Sequence, residues 1–139
     1  MTGSNEFSLD HLGIAVRSLD RALSFYEDLL GLRVSARETV EHEKVHVAML
    51  PVSGARIELL EPAEPGSVIG KFLEKRGEGL HHIALAVPDL QAVVSRLRER
   101  GARLVNEPRR GAGGQLYVFV HPASTGGVLV ELIQQEDHS

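Results

Sequence analysis

Apolar and polar residues alternate from Leu9 to Val16. Leu12, Ile14 and Val16 form one face and His11, Gly13 and Ala15 the other, the period-two pattern of a half-buried strand. Ser18 then stands as an N-cap for "LDRALSFYEDLLGL", where Ala22, Phe25, Tyr26, Leu29 and Leu30 recur at helical spacing and Gly31 is a stop signal. Three strand-like runs follow, "LRVSARETV", "KVHVAMLPV" and "ARIELLEP", divided by polar or Pro/Ser/Gly stretches. Residues 8–62 therefore predict the order β-α-β-β-β. Residues 63–79 are a connector, a loop and then a short amphipathic helix with Val68, Ile69, Phe72 and Leu73 inward.

The pattern then starts again. "LHHIALAV" reads as a strand with Ile83, Leu85 and Val87 on its apolar face. Pro88 and Asp89 open a helix carrying Leu90, Val93, Val94 and Leu97, and Gly101 ends it. "ARLVNEP", "QLYVFVHP" and "VLVELIQQ" follow as strands within residues 80–135. A shift of 71 puts Leu9 on Leu80, His11 on His82, Ala15 on Ala86 and Leu19 on Leu90. Two copies of one supersecondary unit predict a single pseudo-twofold α+β domain over residues 8–135, since a solenoid needs more repeats.

Repetition also locates the candidate chemistry. In the last strand of the first half, Arg56, Glu58 and Leu60 face away from Ile57 and Leu59. In the second half, Val128, Val130 and Leu132 form the apolar set, and Glu131 falls on Glu58 at a shift of 73. Each half thus offers a histidine on its first strand and a glutamate on its last, both on the face turned away from the helices. A carboxylate among valines and leucines is costly to bury unless it is paired or binds a cation. Two histidines and two carboxylates converging on one sheet face, His11, Glu58, His82 and Glu131, make a nitrogen/oxygen site for a divalent transition metal. Gly13, Ala15, Ala84 and Ala86 leave space above it. The other histidines lack this support: His81 alternates to the opposite side of its strand, His42 reads as a solvated loop residue, His121 orients a turn before Pro122, and His138 lies in a polar tail.

Composition narrows the partners. The 139 residues fit one ordinary domain, and 42% hydrophobic with 24% charged residues is a globular balance. A net charge of −4 argues against nucleic acid or a membrane surface. No apolar run approaches the roughly 20 residues of a membrane span, and the first residues lack a signal-peptide pattern, so a cytoplasmic location is expected. With no cysteine, disulfides and thiol chemistry are excluded.

The paired modules with His11, Glu58, His82 and Glu131 resemble the vicinal oxygen chelate superfamily, which includes glyoxalase I, extradiol dioxygenases, fosfomycin-resistance proteins and methylmalonyl-CoA epimerase. "LDHLGIAV", "GLHHIALAV", the "PRRGAGG" loop and "FVHPASTGGVLVEL" are most similar to the epimerase family. The resemblance implies an open eight-stranded mixed sheet around a metal-binding cleft, one divalent ion per chain (Co, Mn, Ni or Zn), and a homodimer. The implied activity is that of an isomerase inverting the carbon between the thioester and carboxylate of an acyl-CoA, methylmalonyl-CoA. The metal would stabilise the enolate charge while side chains move the proton. Glu131 is then both ligand and base, and Glu58 a ligand or second base. Some bacterial relatives carry a glutamate base where this chain has Val47. Arg109, Arg110 and Gly113 supply cations and backbone donors for the coenzyme phosphates. The competing readings are glyoxalase I, which the C-terminal motif disfavours, a two-His-one-Glu extradiol dioxygenase, and a metal-free binding module of the bleomycin-resistance type.

Overall fold

The computed structural model describes residues 6–111 and 114–136. Contacts divide the chain into two compact units, one of His11–His81 and one joining the residues up to Asp10 with those from His82 onward. The fold is α+β, with eight strands of a mixed sheet and three α-helices among the described residues.

The first unit holds most of β1 (Ser8–Ala15), from His11 onward, with β2 (Ala36–Val40), β3 (Val45–Val52) and β4 (Ala55–Pro62). Their hydrogen-bonded order is β2-β3-β4-β1, with β1 parallel to β4 and the other pairs antiparallel. Helix α1 (Leu19–Leu23) starts at Ser18, whose hydroxyl accepts from the Arg21 amide at 3.2 Å. Its first N–H, on Leu19, is met by the Glu61 carboxylate at the end of β4, at 2.7 Å.

Beyond Leu23 the periodicity reading fails in an informative way. Ser24–Leu29 is a π-helical segment, in which the Leu30 amide bonds the carbonyl of Phe25. Widening the turn rotates the following residues off the expected stripe. Leu29 and Leu30, expected inward, are 79% and 56% exposed. Tyr26 still packs against the core, and Gly31, at φ +83°, ends the segment as expected. The run beginning at Leu32 also shortens, because only Ala36–Val40 pairs as a strand.

Two apolar layers hold this unit. Leu19, Leu23, Ala48, Leu50 and Leu59 pack beneath α1, and Ala15, Val45, Val47 and Leu60 pack with Ile69 and Leu73 of α2 (Val68–Arg76). Val68, expected inward, is 68% exposed, because it is the first helical residue after the Ser67 cap. Gly70 sits in the first turn of α2, its N–H on the Ser67 hydroxyl at 3.1 Å. A Cβ there would meet the Pro65 and Glu64 carbonyl oxygens at 2.4 and 2.9 Å. Gly70→Ala should therefore cost about 1–3 kcal/mol in urea unfolding, although alanine is the better helix former. A stabilised variant would show that the preceding loop yields.

The second unit repeats the plan. Strands β5 (Gly79–Val87), β6 (Arg109–Arg110), β7 (Leu116–Val120) and β8 (Leu129–Gln134) run in the order β5-β8-β7-β6, with β5 parallel to β8. Helix α3 (Leu90–Glu99) starts at Asp89, whose carboxylate accepts from the Ala92 amide at 3.1 Å. Here the first N–H, on Leu90, is met by the Gln134 side-chain oxygen of β8 at 2.9 Å. Val87, Leu90, Val94, Val118, Val120 and Leu132 form the core.

The expected strand "ARLVNEP" is replaced by a single bridge between Leu104 and Val120. The Asn106 side-chain oxygen takes the Phe119 amide at 2.9 Å, doing what a strand carbonyl would do, and Pro108 follows closely. The edge strand is instead the two-residue β6.

Candidate metal centre

The parallel pairing in each unit fixes where each histidine lies relative to its glutamate. Gly13 of β1 stands opposite Glu58 of β4, so His11, two residues earlier, shares the Glu58 face and stands opposite Arg56. Ala84 of β5 stands opposite Glu131 of β8, and His82 stands opposite Leu129. The register of the two units is therefore the same, and what differs is the residue facing the histidine.

His11 is 6% exposed, a buried imidazole on a strand whose next face positions are Gly13 and Ala15. Its Nδ1 lies 3.7 Å from Glu58 Oε2. That same oxygen accepts from Arg56 Nε at 2.9 Å. Residue spacing placed Arg56 and Glu58 on one face, but their mutual capture was not anticipated. The signal was present in "RIE", two opposite charges at i and i+2 of a strand.

Among the described residues, His11, His82 and Glu131 form a group with the donors to hold a metal ion, their ligand atoms all within 4.8 Å of one another. Glu58 does not join it. The donor chemistry suits a divalent ion of the borderline type, with two imidazoles, one carboxylate and no thiolate.

The remaining sequence candidates take ordinary structural positions. Val47 is 4% exposed and belongs to the apolar layer, so it moves no proton. His46 points to the other face of β3, where Nδ1 lies 2.8 Å from the Thr39 hydroxyl, and lines with Thr39 and Glu61 a polar cavity of about 330 Å³. His81 packs edge-on against Phe72 with ring centroids 5.0 Å apart, and burial pushes its pKa below the ordinary histidine value. His42 is solvated beside Glu43, and His121 Nδ1 accepts from the Ala123 amide at 2.9 Å, fixing the turn. Arg109 and Arg110 are exposed on β6, and Arg110 Nη1 donates to the Gly114 carbonyl at 2.6 Å, spending one donor on its own loop. Gly113 and His138 lie outside the described residues. No helix among the described residues is long and apolar enough to cross a membrane.

Comparison with known proteins agrees with this fold. Residues 10–119 match the family model described as the glyoxalase/bleomycin resistance protein/dioxygenase superfamily. The chain is 41% identical to an ethylmalonyl-CoA/methylmalonyl-CoA epimerase of Cereibacter sphaeroides over 91% of this chain and 96% of that protein. A crystal structure of methylmalonyl-CoA epimerase from Mycobacterium tuberculosis superimposes with a TM-score of 0.78 at 44% identity, covering 93% of this chain and 88% of that one. The Streptomyces coelicolor methylmalonyl-CoA epimerase in complex with 2-nitronate-propionyl-CoA gives 0.79 at 39% identity, covering 93% and 97%. The chain belongs to the glyoxalase/bleomycin resistance protein/dioxygenase superfamily, and within it to the methylmalonyl-CoA epimerase family of isomerases.

Proposed function

We propose that the protein is a metal-dependent epimerase of methylmalonyl-CoA, with His11, His82 and Glu131 as the residues that hold one divalent ion. The observation that carries the reading is the His/His/Glu group on the repeated strands of a chain whose relatives, matched nearly end to end, are named for this reaction. A divalent ion bound there supplies Lewis-acid polarisation to substrate oxygens, an effect worth several kcal/mol.

The chain's own residues do the rest. His11 and His82 contribute neutral nitrogen donors, and Gly13, Ala84 and Ala86 keep the adjoining face low enough for an acyl group to approach. Glu131 carries the proton: the C–H bond at the α carbon breaks, and the proton passes to the carboxylate oxygen. Inversion follows when a second donor returns a proton to the opposite face. Arg109 and Arg110, with the glycines after them, meet the coenzyme phosphates, and Arg109 is the more available because Arg110 already serves Gly114. A homodimer, drawn from the family resemblance, completes the reading, with the cytoplasmic location expected from the sequence.

Metal-loaded protein incubated with methylmalonyl-CoA in deuterated water should incorporate deuterium at the α position with racemisation, followed by NMR. Chelation should abolish the exchange and a divalent ion restore it. Absence of exchange from protein that retains bound metal would overturn the assignment.

A further inference from the structure

Glu131 has unequal neighbours in its own row of the sheet. On one side stands Ala84 of β5, which adds almost no bulk, and on the other stands Phe119 of β7. We propose that Phe119, braced by Tyr117, sets the size of the alkyl group that the substrate carries on its α carbon. The inference rests on the reading of Glu131 as the proton carrier and names what that site selects.

The backbone brings the ring and the carboxylate together. The Phe119 amide donates to the Asn106 side-chain oxygen at 2.9 Å, and its carbonyl accepts from the Val105 amide at 2.8 Å. Both groups therefore point away from β8, which makes Phe119 and Glu131 a non-hydrogen-bonded antiparallel pair. In such a pair the Cα atoms lie only about 4.5 Å apart and the side chains stand side by side. The ring is held as well: Tyr117 meets it edge to face, with centroids 5.7 Å apart at 80°. Tyr117 in turn lies over Gly111, where a Cβ would come within 3.3 Å of its ring. In the first unit the position facing Glu58 is Met49, a flexible side chain packed into the layer that α2 covers.

Substrate chemistry then assigns the ring its neighbour. Of the four groups on the α carbon, the proton must lie within hydrogen-bond reach of Glu131. The thioester and the carboxylate are the polar arms that the His/His/Glu group attracts. The alkyl group is left to meet an apolar wall, and a wall fixed on two sides cannot retreat for a longer one.

Steady-state kinetics of the metal-loaded full chain on methylmalonyl-CoA and ethylmalonyl-CoA, one methylene longer, test this as a ratio of kcat/KM. The wild type should favour the methyl substrate by about 10-fold or more, the usual worth of one methylene in a closed pocket. Phe119→Leu should raise the ethyl-to-methyl ratio about 10-fold, and Tyr117→Ala, which frees the ring, about 3-fold. Tyr117→Phe keeps the brace and should keep the wild-type ratio. A general loss of folded protein cancels from the ratio. A wild type indifferent to the added methylene, or a ratio unmoved by Phe119→Leu or by Tyr117→Ala, would overturn the inference. Absence of α-proton exchange from both substrates with the wild type would instead overturn the epimerase reading, before any variant is compared.

Discussion

Glu131→Gln should reduce α-proton exchange by about four orders of magnitude, and Glu58→Gln by only 10–100-fold. Glutamine keeps the size and one oxygen of the side chain but removes the charge and the ability to take a proton. At Glu131 both losses fall on the reaction, since the residue is assigned as ligand and as base. At Glu58, whose carboxylate lies 3.7 Å from His11 Nδ1, the loss falls beside one proposed ligand. Single-turnover exchange in deuterated water, measured at saturating metal, separates the two. Equal losses at both positions would make Glu58 a second proton carrier. Metal content should be measured on the same samples, because a Glu131 variant that keeps its metal and still loses exchange isolates the proton-transfer role.

The second large effect is on stability. Leu90→Ala should cost about 2–5 kcal/mol, a large share of the 5–15 kcal/mol typical of a domain. Leu90 is 0% exposed and is packed by Val87, Val94, Val118 and Leu132, all on rigid elements that cannot close over a missing isobutyl group. Its own amide is tied to Gln134, so the backbone cannot follow the side chain inward. Leu19→Ala should behave alike, since Leu19 is 1% exposed and its amide is tied to Glu61. Urea unfolding gives the magnitude, and native-state hydrogen exchange should show the fastest new opening in the strands of the same unit. A cost below about 1 kcal/mol would mean that these helix starts can collapse onto the sheet.

Much of this was legible in the chain, and the failures share a cause. Strand alternation placed His11, His82, Glu58 and Glu131 on one kind of face, and the parallel registers agree. Caps at Ser18 and Asp89 were visible because capping depends on residues adjacent in sequence. Misses came where a non-local or non-periodic bond replaced a regular one. The π segment put Leu29 and Leu30 into solvent, and the Asn106 side chain stood in for a strand carbonyl. Arg56 belongs to the same class: its face could be read from the sequence, but its choice of partner depends on side-chain geometry that periodicity does not encode.

The two helix starts have a consequence beyond stability. Glu61 and Gln134 differ in charge, yet each brings an oxygen to the same amide of its own helix. One chain therefore carries two copies of a single structural plan, and the two can be compared position by position. Where the residue differs and the bond is kept, as at Glu61 and Gln134, the bond belongs to the architecture. Where the residue differs and no equivalent bond can form, as at Arg56 and Leu129, the two halves differ in their chemistry. An engineer wishing to make such a protein more symmetric would edit the second kind of position and leave the first alone.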